Sequence, residues 1–306
     1  WTQNRYALFR RLWRALYFLE KFLKKPAGLD CFLLNFAPDK WNAVTKLCKF
    51  GFNPPKHNKL FKRGLQATAH HLQKFQVLAE IASELSPGFE IDRKELDSNG
   101  FSHAKYSNQF AAVAECCVNE LYASLDGIRD VIYSIFSNIQ GIQKKSTGKF
   151  FERAKKKEYG DEFPIELYNV LSEAHDSWFF QLRKYRTEFT HGSLGSCSKD
   201  IETGKISYIH PGMGDSNKAL VINDFIEYIN GAYKNVLLLQ HIIFEYLYKT
   251  LPLEPVTVLC GFYKGLAYTR LIHPESNLTS NSGICKSVHY DTQCPLRDKC
   301  AAYKNA

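Results

Sequence analysis

No run of 18 or more apolar residues occurs in this 306-residue chain. The nearest, Val236 to Tyr248, is broken by Gln240, His241 and Glu245, so no segment reads as a membrane-spanning helix. Trp1 opens a segment dense in arginine, with neither an apolar h-region nor a small-residue cleavage site, so no secretory leader is expected. A phosphate-binding P-loop, a G-x-S-x-G elbow, an H-E-x-x-H pair and an EF-hand loop are all missing, which excludes the nucleotide-hydrolase, esterase, metalloprotease and calcium-sensor chemistries they serve. Internal repeats and low-complexity tracts are absent too. Cysteine is present, but nine is an odd number without a regular framework, in a chain long enough to bury its own core. Reduced thiols in a cytoplasmic protein fit that pattern better than disulfide staples.

What is present describes a soluble, aromatic-rich globular protein. Hydrophobic residues make up 45% and charged residues 23%, which excludes wholesale disorder. The net charge of +9 is unevenly spread. Residues 1–63 hold 14 Lys/Arg against 3 Asp/Glu, while the remainder, 26 basic and 28 acidic, is close to neutral. Such asymmetry points to a polyanion partner, nucleic acid before membrane, or else to a solvated basic face.

Helical periodicity runs through most of the chain. Tyr6, Phe9, Trp13, Leu16 and Phe22 form an N-terminal stripe bordered by Arg10, Arg11 and Arg14. Polar residues from Ser86 to Gly100 read as a linker. Phe110, Ala114, Cys117, Leu121, Leu125, Ile128 and Ile132 mark a helix of about 30 residues. A short helix follows with Lys155, Lys156 and Lys157. Pro164 suits the start of another, whose stripe Leu167, Leu171, Ala174, Trp178, Leu182, Tyr185 and Phe189 runs to His191, with Gly192 as a left-handed cap. Turn residues between Ile201 and Ile209 predict a small hairpin. Ile222 to Leu247 carries a last long stripe, ended by Pro252. The expected fold is all-α: a four-helix bundle over 104–251, a basic helical region over 1–100 and a Cys-rich module over 252–306.

One constellation carries chemistry. Arg186-Thr-Glu-Phe-Thr-His191 places an always-charged guanidinium five positions before an imidazole able to move a proton near neutral pH. On a helix the two are about 140° apart and about 7.5 Å along the axis. RNA cleavage by the 2′-hydroxyl needs those two functions. A structural reading stands beside it: Arg186 paired with Glu188 or Asp126, and His191 capping its helix.

A long helix, a short basic helix, a helix ending in R-x4-H and a further long helix together resemble the HEPN superfamily. The resemblance covers about residues 104–251. It implies a metal-independent endoribonuclease in a toxin or antiviral role, with two copies of the motif meeting across a homodimer, and an antitoxin or regulatory partner. Arg186 and His191 match the motif pair. The position after the arginine, often Asn, Asp or His in that family, is Thr187 here. Glu120 and Asp126 on the preceding long helix can supply a supporting carboxylate, and Tyr185 lies beside the arginine. Arg10, Arg11, Arg14, Lys155, Lys156 and Lys157 are candidate RNA contacts. A non-catalytic RNA-binding or adaptor protein is the alternative; a DNA-binding regulator is weaker, with no helix-turn-helix signature in view.

The tail holds Cys285, His289, Cys294 and Cys300 at C-x3-H-x4-C-x5-C spacing, four ligands suited to tetrahedral Zn²⁺. The C-x8-C-x5-C part resembles CCCH zinc fingers. The residue where their histidine is expected is Lys304, so His289 substitutes, or Cys260 joins instead. Free thiols are the plain alternative.

Overall fold

The computed structural model describes Leu47 and residues 58–192, 194–210, 219–276 and 282–306. The N-terminal stripe with Arg10, Arg11 and Arg14 lies outside the described residues. Helix α1, Asn58–Leu85, turns Phe61, Leu65, Leu72, Phe75 and Ala82 inward at helical spacing. It packs along α3, Lys105–Phe136. The crossing is close because both helices lack a side chain there. A Cβ on Gly64 would stand 2.8 Å from the Gly127 carbonyl, and one on Gly127 would stand 2.5 Å from Thr68 Oγ1. Any larger residue at either glycine would push the helices apart.

The polar stretch expected to be a linker is helix α2, Gly88–Asn99. Two contacts order it. Phe89 packs edge-on against Phe110, 5.3 Å between ring centres. Asp92, buried, accepts hydrogen bonds from the backbone N–H of Tyr106 (3.2 Å) and Ser107 (2.8 Å) and from the Ser107 hydroxyl, satisfying free N–H groups at the start of α3. One apolar anchor and one capping carboxylate outweigh a polar composition.

Helix α4, Thr147–Lys155, is capped by Ser146, whose hydroxyl accepts from the Lys149 N–H at 3.2 Å. The stripe expected to form one helix from Pro164 to His191 is interrupted. Helix α5, Ile165–Ala174, passes through a π-helical turn, His175–Phe179, into α6, Phe180–His191. Gly192 does not take the left-handed cap conformation; at φ −94° and ψ −172° it is extended. Helix α7, Phe225–Thr250, starts on Asp224, which accepts from the Glu227 N–H at 3.0 Å. Among the described residues one continuous hydrophobic core joins α1 and α2 to α3–α7.

Among the described residues two small antiparallel sheets accompany the helices, so the protein is mostly helical. The first runs β1 (Ser196–Lys199), β2 (Ile206–His210), β3 (Leu220–Ile222) in that order, with Ile201 in the β1–β2 turn rather than in a strand. Glu115 of α3 fastens it: the buried carboxylate accepts from Tyr208 Oη at 2.6 Å and from the Gly195 N–H at 2.9 Å. The second comprises β4 (Val256–Tyr263), β5 (Leu266–Ile272) and β6 (Ile284–Cys285), followed by a 3-10 turn, Arg297–Lys299, and α8, Ala301–Lys304. β-branched and aromatic residues in alternation form strands within the region expected as a Cys-rich module. Among the described residues no helix is long and apolar enough to cross a membrane.

Candidate functional site: an arginine cluster around Tyr122

Asn119, Tyr122, Asp126 and Arg129 recur at three- and four-residue intervals and therefore share one face of α3. Helix α6 lies along that face in the opposite sense. Thr190 Oγ1 meets Asn119 Oδ1 at 3.3 Å, and four residues earlier the Arg186 guanidinium lies over the Tyr122 ring, 5.1 Å from its centre. Tyr122 is buried. Its phenol is pushed up by burial and then by Asp126, against the opposing pull of the Arg183, Arg186 and Arg129 cations. Three cations thus act electrostatically on one phenol.

The three arginines are held differently. Arg129 is committed to the scaffold: it donates to Asp126 Oδ1 at 2.8 Å, to Thr147 Oγ1 at 2.9 Å and to Asp130 Oδ1 at 2.7 Å. Thr147 Oγ1 donates in turn to Asp126, joining the start of α4 to α3. Arg183 lies flat against the first turn of α4, so close that a Cβ on Gly148 would stand 2.5 Å from its Cζ. Among the described residues neither Arg183 nor Arg186 is ion-paired with a carboxylate. Their charge is added to the partial positive charge at the N-terminal end of α4, where backbone N–H groups lack helical partners. Such a combination suits a phosphate.

The R-x4-H pair is only partly drawn into this cluster. His191 occupies the last turn of α6, exposed, and no hydrogen bond joins it to Arg186 among the described residues. Neither side chain is sunk in apolar packing. Thr187 Oγ1 donates to the Arg183 carbonyl at 2.9 Å, so it serves its own helix and does not orient the imidazole. Asp126 is in the cluster. Glu120 is not: it pairs with His71 Nδ1 at 2.6 Å on the side facing α1. Tyr185 is core, its hydroxyl accepting from Gln181 Nε2 at 2.7 Å and its ring edge-on to Tyr228.

Of the basic run, Lys155 pairs with Asp176 at 2.5 Å and Lys156 with Glu152 at 2.8 Å, while Lys157 is exposed with φ of 55° just past α4. Glu152 is held below the usual carboxylate range by Lys156 first, with Arg183 and His175 adding smaller pulls. That places the π-turn histidine at the edge of the same positive region. A π-turn often marks a functional position, because it re-aims side chains that regular helix would hide. In the C-terminal module, His289 is exposed and edge-on to Tyr290. Among the described residues no three His, Cys, Asp or Glu side chains already stand as a metal cage.

Sequence reasoning missed Tyr122, Arg183, Asn119, Arg129 and Thr147. The first four carry a readable signal, polar groups at i, i+3, i+4 spacing beside the apolar stripes of two helices. Thr147 carries none, since its role depends on where α4 packs. Compared with protein families, curated proteins and solved structures, the chain finds no match. Fold and site therefore define it as a mostly helical protein with an arginine cluster at the junction of three helices, in which Arg129 is ion-paired and, among the described residues, Arg183 and Arg186 are not.

Proposed function

We propose that this protein is a HEPN-type, metal-independent endoribonuclease. The observation that carries the reading is the pair Arg183 and Arg186, without a carboxylate partner among the described residues, beside Tyr122 and the α4 N-terminus, with an exposed imidazole at His191 on the same helix. Arg186 and Arg183 would bind the scissile phosphate and stabilise charge on its equatorial oxygens as the 2′-oxygen attacks phosphorus. His191 would take the 2′-hydroxyl proton or give one to the departing 5′-oxygen. The P–O5′ bond breaks, leaving a 2′,3′-cyclic phosphate and a 5′-hydroxyl.

The reaction moves two protons, one from the 2′-hydroxyl and one to the 5′-oxygen. A homodimer bringing a second α6 to the cleft would supply the other proton-moving group. A toxin or antiviral role in the cytoplasm, held in check by an antitoxin or regulatory partner, follows from uncontrolled RNA cleavage being lethal.

The test is cleavage of a labelled RNA in EDTA. His191→Ala should lower the rate by about 10²–10⁴-fold while leaving fold and association intact. Induced expression should halt growth, and the same substitution should relieve it. The side-chain contact of Thr187 favours a second reading, an RNA-binding adaptor without chemistry, because nothing described orients His191. That reading expects RNA binding without cleavage, insensitive to His191→Ala.

A further inference from the structure

Among the described residues the C-terminal sheet has little apolar packing of its own: Ile272 is buried with Tyr248, Leu253, Val256 and Val258 around it, and Tyr268, Cys300 and Ala302 are the other buried apolar residues of the module. A three-stranded sheet with so small a core needs a staple, either disulfides or a metal. Its cysteines form no disulfide: Cys260, Cys285, Cys294 and Cys300 are all free thiols.

We propose that Cys260, Cys285, Cys294 and Cys300 bind a structural zinc ion that holds this sheet together. The backbone brings them to one place. Leu259 pairs with Thr269 and Gly261 with Tyr268, so Cys260 is the extra residue of a bulge, a device that re-aims a side chain. Cys285 pairs with Arg270 on the other edge of β5, beside those same positions. Tyr268, opposite the bulge, donates its hydroxyl to the Thr292 carbonyl, tying the approach to Cys294 against β5. Cys294 and Cys300 then bracket the 3-10 turn: Arg297 N–H donates to the Cys294 carbonyl at 3.1 Å, and Cys300 N–H to the Arg297 carbonyl at 3.4 Å. Helix α8, which Cys300 opens, packs on β6.

Local chemistry favours ligation. The Ser287 N–H donates to Cys285 Sγ at 3.4 Å, a bond that stabilises a thiolate. Ser287 is itself fixed, its hydroxyl accepting from the Thr269 N–H at 3.0 Å. On binding, each thiol would give its proton to solvent, and four thiolates with Zn²⁺ carry a net charge of −2, offset in part by Arg270, which pairs with Cys285 across β5 and β6. The ligand set becomes C-x24-C-x8-C-x5-C, and His289, exposed against Tyr290, is outside it. The thiols do not yet stand as a closed cage, so ligation requires them to turn inward from these backbone positions.

The experiment needs no enzymatic readout. The full chain, purified without chelator, should carry about one zinc ion per molecule by mass spectrometry of metals. Cys260→Ser and Cys294→Ser should lose it, and His289→Ala should keep it. Cobalt exchange in wild type and His289→Ala should give the same tetrahedral spectrum with strong sulfur-to-metal absorption. To separate metal loss from misfolding, maleimide labelling of the wild-type chain should find these four thiols protected until a chelator is added, while Cys117 and Cys197 stay buried throughout. Zinc below about 0.1 per chain, with the four thiols labelled equally with and without chelator, overturns the proposal. So does zinc lost from His289→Ala yet retained by Cys260→Ser.

Discussion

The Arg186 guanidinium lies 5.1 Å from the centre of the Tyr122 ring, held by an aromatic face on the neighbouring helix rather than by a carboxylate. A carboxylate would neutralise the charge, whereas an aromatic face positions it and leaves its N–H groups free for an anion.

Tyr122→Phe should therefore keep most of any cleavage activity, because the ring face survives. Tyr122→Leu should lower kcat by about 2–30-fold, the equivalent of about 0.5–2 kcal/mol of lost cation–π positioning. Steady-state cleavage of a labelled RNA measures both. Equal activity in Leu and Phe variants would mean that the ring does not position Arg186.

Arg183 should matter for binding more than for fold. Arg183→Ala should weaken RNA affinity and reduce the slope of log affinity against log salt by about one. Gly148→Ala should reproduce much of that effect, because its new Cβ would displace the flexible guanidinium from the start of α4. Its effect on stability should stay below about 1 kcal/mol, since alanine suits a helix and only a side-chain end must move. Fluorescence titration at several salt concentrations distinguishes this from unchanged affinity, which would remove Arg183 from the site.

Glu115 anchors the first sheet to α3. Glu115→Ala would leave the buried Tyr208 hydroxyl and Gly195 N–H without their acceptor and should destabilise the protein by about 2–4 kcal/mol. Glu115→Gln, which keeps an acceptor, should cost about 1 kcal/mol. Urea denaturation followed by circular dichroism reads the difference.

The β1–β2 turn should loosen in acid. Asp200 is held below its ordinary value of 3.8 by the Thr203 backbone N–H first and the Thr203 hydroxyl second, at 2.6 and 2.7 Å. For a lowered carboxylate, the stabilisation is complete above the unfolded value and disappears as pH falls through the lower folded value. The protection of the Thr203 amide, measured against its intrinsic exchange rate, should fall as pH drops below the ordinary carboxylate range, and Asp200→Asn should show reduced protection already at neutral pH. Exchange in that variant unchanged from wild type would contradict the assignment.

Helix existence was legible from the spacing of apolar residues, because burial of one stripe is a local demand that each segment writes into its own sequence. The stripe from Phe110 to Ile132, the R-x4-H pair at a helix end and the last long helix were all readable on that basis. The π-turn at His175, the helical state of Ser86–Gly100 and the exchange of a left-handed cap for extended backbone at Gly192 were not. Each depends on a partner far away in the chain: Phe110 and the start of α3 for α2, and the packing of neighbouring helices for the π-turn.

The candidate site divides in the same way. The sequence by itself determined that a fixed cation and a titratable imidazole share the end of one amphipathic helix. Only tertiary structure decided that Tyr122 carries the Arg186 guanidinium, that Arg183 joins it against Gly148, and that Glu120 faces His71 instead. The reason is geometric: helical spacing sets which residues share a face, but the packing of one helix on another decides which faces meet.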